Sequence, residues 1–195
     1  MNKFAAAGLM MAGILAGSAP EAAAAPVAVP KDKVAVVYFS WSQTGNTRFA
    51  AETIAKKIGT TAFEIKAAKP YSTNYKACCD EAKPECANRQ LRPIRQVAGL
   101  NLARYDVIFI GTPNWWGTMA PPVRTFLIQN SAALSGKTLC LFQTNGGGGM
   151  QNCGKDFEQV LSNSKVLPPQ AFNGSTIRSQ VSALEQFVAE RVTVK

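Results

Sequence analysis

The chain has 195 residues, 47% of them hydrophobic, and carries a formal net charge of +9 from 21 Lys and Arg against 12 Asp and Glu, with no histidine. Length and apolar content suit one substantial core and exclude a disordered chain. The missing histidine excludes His-assisted serine or cysteine hydrolysis, His-ligated metals and His general-base chemistry.

The first segment combines Lys3, an apolar run from Phe4 to about Gly17 and small residues in Ala-x-Ala spacing before Pro26. This pattern predicts a cleavable export signal over 1–25, with cleavage near Ala24 or Ala25, then a short leader over 26–33 and one domain over 34–195. The apolar run falls short of a membrane span, and no cysteine stands at the cleavage point, so no stable membrane anchor is expected after processing. The mature protein is expected to be exported to the periplasm. Removing Lys3 and Glu21 leaves 20 positive against 11 negative residues, so the charge stays at +9. That balance favours acidic partners. The positive residues are spread along the chain, without aromatic-interleaved clusters, so nucleic acid is not expected as a partner.

Val34 to Phe39 is a continuous β-branched and aromatic run, the pattern of a strand buried on both faces. Phe49, Ala50, Ile54 and Ile58 then recur at helical spacing over 46–58, and Gly59 closes the helix. A second strand is predicted at Thr61 to Ile65. The stretch from Ala67 to about Gly99 has no clean period and reads as a long surface excursion with some helix around Tyr75 to Asn88. Val107 to Gly111 is a third strand, Pro121 and Pro122 open a helix, and Lys137 to Phe142 is a fourth strand. A helix near Asp156 to Ser162, a short strand around Gln170 to Phe172 and an amphipathic segment with Val181, Leu184, Phe187, Val188 and Val192 complete the chain. Strands alternating with helices predict an α/β fold with a parallel sheet covered on both faces. Ligands of such sheets bind beyond the carboxyl ends of the strands.

The five cysteines, in a chain expected to be exported, predict a loop staple between Cys86 and either Cys78 or Cys79. Cys140 reads as a buried small hydrophobe, and Cys153 as free or paired with the leftover loop cysteine.

Three loops carry the chemistry. Ser40 to Thr47 joins strand to helix, where backbone N–H groups and the helix N-terminus favour an anion, and Ser42, Thr44, Asn46 and Thr47 add neutral donors. The absence of a lysine suits a terminal monophosphate better than a triphosphate with magnesium. In "TPNWWGT", Trp115 and Trp116 cannot both point inward from one extended segment, so at least one should face the ligand side. The third loop, Thr144 to Met150, holds four consecutive glycines, which permits close backbone approach to a ligand, although on glycine content alone a mobile linker is the better reading.

The motifs "YFSWSQTGNT" and "GTPNWWGTMAPPVRTFL", with the glycine loop after the fourth strand, resemble the flavodoxin-like family of flavin mononucleotide proteins over roughly Val34 to Val192. The resemblance implies a three-layer sandwich with a five-stranded parallel sheet of order 2-1-3-4-5; flavodoxin itself is a stock example of that rule for ligand placement. It implies FMN as cofactor, with Ser42, Gln43, Thr44, Asn46 and Thr47 on the phosphate and Gly45 allowing close approach. It places Thr112, Pro113 and Asn114 in the flavin-binding loop, with Trp115 or Trp116 stacked on the isoalloxazine. A carbonyl near Trp116 and Gly117 would meet the ring N5 when the flavin is half reduced, and Asn145, Gly146, Gly147 and Gly148 would line the ring's far edge. The chain departs from the family's electron carriers in its basic charge, its export signal and its glycines where a second covering aromatic usually stands. The glycines suggest an uncovered ring face, with room for a hydride donor or a quinone. The expected function is FMN-dependent electron transfer outside the cytoplasm, with an acidic redox protein or a quinone as partner. The alternatives are an NAD(P)H- or quinone-linked flavin reductase and a non-redox anion-binding module.

Overall fold

The computed structural model describes residues 25–161 and 163–195; the predicted export signal therefore lies outside the described residues, apart from Ala25. Strand β1 (Val27–Val29) precedes β2 (Val34–Tyr38), α1 (Asn46–Ile58), β3 (Ala62–Glu64) and α2 (Tyr75–Ala87). Then come β4 (Val107–Trp115), β5 (Thr118–Met119), α3 (Pro121–Gln129), α4 (Ser131–Leu134) and β6 (Thr138–Asn145). The chain ends with α5 (Cys153–Val160), β7 (Lys165–Asn173), α6 (Val181–Ala189) and β8 (Val192–Val194).

Every residue of β2 is buried because the strand has a parallel neighbour on each side and helices over both faces. Its side chains alternate between two cores, as a period of two dictates. Ala35, Val37, Ile108 and Ile110 join a cluster with Val123, Phe126 and Phe157 on one face. Val34, Val36, Val107 and Phe109 join Ala51, Ile54, Leu184 and Phe187 on the other. Each fully buried Val, Leu, Ile or Phe among them contributes on the order of 2 kcal/mol. The parallel sheet runs β3-β2-β4-β6-β7, which is the expected 2-1-3-4-5 order of a flavodoxin-like three-layer sandwich. The short β5 pairs antiparallel with β4.

Several local expectations change. β4 runs on to Trp115, so "TPNWW" is largely extended and only Trp116 and Gly117, both at positive φ, make the turn into β5. β7 is nine residues long, and Val192 belongs to β8 rather than to the last helix. β8 pairs in parallel with β1, drawing residues 27–29 of the expected leader into the fold.

The predicted loop staple is not formed. Cys78, Cys79 and Cys86 lie on one continuous helix, and all five cysteines are free thiols. Seven or eight residues of helix separate the pair by about 10–12 Å, beyond the reach of a disulfide. Cys140 is fully buried, as expected.

Candidate functional site

The loops after β2, β4 and β6 converge at the carboxyl edge of the sheet around a cleft of about 690 Å³. At one end the left-handed Gly45 (φ 62°) turns the chain into α1. Ser42 Oγ accepts the Asn46 N–H at 3.1 Å, Thr44 Oγ1 donates to Asn46 Oδ1 at 2.8 Å, and the Phe49 N–H goes to the Gly45 carbonyl. The first-turn amides of Thr47 and Arg48 have no intrahelical acceptor, which leaves the positive end of α1 at the loop. Thr47, almost fully buried, shares a 2.7 Å hydrogen bond with Thr144 at the end of β6, tying the first loop to the third.

At the other end the walls are aromatic and apolar. Trp115 is half-buried, with Tyr71, Phe39 and Trp41 at 4.9, 5.6 and 6.3 Å in edge-on arrangements. Trp41 is fixed in turn by Nε1 donating to the Ser72 carbonyl at 3.0 Å. Trp116 is 55% exposed and lies 5.3 Å from the Lys83 ammonium. Tyr75, Cys78, Cys79 and Ala82 extend this wall from α2. Burial pushes the Cys78 thiol up to about 12, so it meets the cleft as a neutral group.

The second and third loops are stitched together. Asn114 Oδ1 accepts the Gly117 N–H at 3.0 Å, while its Nδ2 donates to the Gly149 carbonyl and to Gln151 Oε1. Asn145 Oδ1 accepts N–H groups of Gly147 and Gly149, and Gln143 Nε2 donates to the Gly149 carbonyl. These bonds fold the glycines into a defined turn. The Gly117 carbonyl accepts the Asn152 N–H at 2.9 Å; the Trp116 carbonyl accepts none among the described residues. On the far side, Asp156 takes Thr118 Oγ1 together with Arg124 and Arg89, which anchors the hairpin below Trp116 to α5.

Of the predicted residues, Ser42, Asn46 and Thr47 line the cleft, as do Pro113, Asn114, Trp115 and Trp116, and Asn145 with Gly146. Gly117 and Gly148 border an adjoining hollow of about 750 Å³ that shares Asn114, Trp116, Asn145 and Gly146. Gln43, Thr44 and Gly45 form the outer side of the first turn, and Gly147 lies outside both cavities. Thr112 is not brought to the cleft: it is fully buried and its hydroxyl accepts the Ala120 N–H at 3.0 Å. Trp41, the α2 wall, Thr144, and Gly174 with Ser175 after β7 line the cleft without having been among the predicted site residues. Their clearest sequence signal is the i, i+4 step from Cys78 to Ala82, which marks one helical face.

The residues fit a flavin nucleotide on two observations. No charged side chain lines the cleft: hydroxyls, amides and a helix N-terminus occupy one end and aromatic rings the other. The Ser40 hydroxyl, where β2 runs into the first loop, is buried without a partner. Fold and cleft together define a doubly wound α/β protein with an amphipathic ligand site at the switch of strand order.

The family model for flavodoxin matches residues 33–188, and the chain belongs to the flavodoxin family. Among solved structures it is similar to a flavoprotein from Bacteroides eggerthii, with 26% identity and a TM-score of 0.64, covering 78% of this chain and 97% of that one. A flavoprotein from Bacteroides uniformis shares 28% identity at a TM-score of 0.62, over 77% and 97% of the two chains. The flavoprotein of Lactobacillus acidophilus in complex with FMN shares 25% identity at a TM-score of 0.63, over 77% and 99%.

Proposed function

We propose that the protein is an FMN-binding redox protein that transfers electrons outside the cytoplasm. The observation that carries this reading is the uncharged cleft, with neutral donors at one end and indole rings at the other, in a chain of the flavodoxin family. Bound FMN supplies one- and two-electron redox chemistry.

The chain's own residues bind, orient and shield. Ser42, Asn46 and Thr47, with the first-turn amides of α1, hold the phosphate; Trp116 and Trp115 bound the ring end. Asn114 and Asn145 keep the two ring-side loops in register through the bonds above, and the absence of carboxylates from the cleft leaves the flavin's electronics to aromatic and amide contacts. The basic charge steers an acidic redox protein toward the exposed Trp116, beside which Lys83 carries a charge with no carboxylate partner among the described residues. The open hollow next to the cleft supports a second reading, in which a quinone approaches the ring directly.

The test is a visible absorption spectrum of the processed protein before and after incubation with FMN and desalting. Retained flavin bands shifted by burial support the reading; oxidation rates with quinones and with acidic carrier proteins then separate the two acceptors. A colourless chain that does not take up FMN favours an anion-binding module without redox chemistry.

A further inference from the structure

We propose that Arg178, on the 3-10 turn that follows β7, is the cationic member of the phosphate site. The inference rests on the FMN reading and adds to it a charge that none of the three loops contains. The cleft lining has no charged side chain, so a phosphate bound there meets only neutral donors and a helix N-terminus. Two guanidinium groups stand beside the first loop. That of Arg48 is neutralised by Glu64 at 2.7 Å. Arg178 makes no ion pair with a carboxylate among the described residues. Its Nη2 instead donates to the Thr44 carbonyl at 2.6 Å, and its guanidinium lies 4.8 Å from the centre of the Phe49 ring.

The same short turn, Gly174–Ser179, reaches the cleft directly. Gly174 and Ser175 line it beside Asn46, and a Cβ at Gly174 would come within 2.8 Å of the Asn46 amide nitrogen. The turn is therefore seated against the first loop at both of its ends, by backbone at Gly174 and by the guanidinium at Thr44. A carbonyl acceptor and an aromatic face hold Arg178 in place without cancelling its charge. A guanidinium has five N–H donors in a planar fork, and the Thr44 carbonyl takes one, so donors remain for phosphate oxygens.

The experiment measures affinities of the processed protein for FMN and for riboflavin, which lacks the phosphate, by quenching of flavin fluorescence. It uses the wild type, Arg178→Gln and Arg178→Lys across salt from about 0.01 to 1 M, where the screening length falls from about 30 to 3 Å. Arg178→Gln is expected to weaken FMN about three- to tenfold at low salt, to flatten its salt dependence, and to leave riboflavin within about twofold. Arg178→Lys should keep most of the salt dependence. Equal weakening of both flavins would reduce Arg178 to a brace on the Thr44 carbonyl and overturn the inference. So would unchanged FMN affinity and slope in Arg178→Gln while the wild type binds FMN. A wild type that binds neither flavin overturns the cofactor reading itself. Arg178 is exposed, so thermal unfolding of the apoprotein should be unmoved by either variant.

Discussion

At one end of the cleft, Ser42, Asn46 and Thr47 come from a single turn whose bonds are mostly internal to it. At the other, Trp41, Tyr75, Cys79 and Trp116 come from three separate segments, held by contacts that span 31 or more residues. The excursion carrying Tyr75 and Cys79 is itself pinned by Arg92, 7% exposed, which reaches Glu81 and Glu85 at 2.7 Å each and the Lys69 carbonyl, while lying over the Tyr71 ring. Tyr71 in turn donates to Glu85 at 2.5 Å, and burial raises its pKa well above the ordinary tyrosine value. The neutral donors of the anion end are thus encoded in one turn, whereas the ring-side wall depends on a distant ion cluster that does not line the cleft.

That contrast can be broken most severely at Arg92. Arg92→Leu strands Glu85 in a half-closed environment and should cost about 3 kcal/mol in urea unfolding, the lower end for a buried pair because Glu81 remains partly exposed. Trp115→Ala should cost about 2 kcal/mol, less than a fully buried aromatic, and loosen Trp41 and Tyr71 together. Ser42→Ala, which frees the Asn46 N–H at the start of α1, should cost only about 1 kcal/mol of stability while weakening FMN more than riboflavin. Trp116→Ala should move stability by less than about 0.5 kcal/mol yet change the absorption of bound flavin, because the side chain is mostly exposed. If Trp116→Ala proved as destabilising as Trp115→Ala, the division between a structural and a ligand-facing tryptophan would fail.

The central strands β2, β4 and β6 were legible because continuous apolar runs have few alternatives, and the phosphate turn because its spacing is local, whereas the short β1, β5 and β8 carry no such run. α2 was read only as some helix near Tyr75 to Asn88. Its buried face is carried by Cys78, Ala82 and Cys86, too small for a clear apolar stripe, and Pro84 interrupts the pattern. The ion cluster that seats it joins Arg92 to residues 7 and 11 positions away, with no periodic signal. Gly174 and Ser175 were illegible for another reason: nothing at the end of β7 says that the turn after it will be folded against residue 46. Thr112 shows the converse, a residue inside a recognisable motif whose hydroxyl closes a hairpin instead of facing a ligand.

The pairing of β1 with β8 bears on how the proposed export processing would fit with folding. Val27 donates its N–H to the Arg191 carbonyl, and the Lys195 N–H returns to the Val29 carbonyl. Processing at Ala24 or Ala25, as the export proposal requires, leaves the Pro26–Val27 peptide bond intact and with it the first of these hydrogen bonds. A cut only five residues further on would remove the strand and unclasp the carboxyl terminus. Under the export proposal, the cleavage point would then also be a folding boundary, within a few residues of the point where trimming would begin to free β8 from β1.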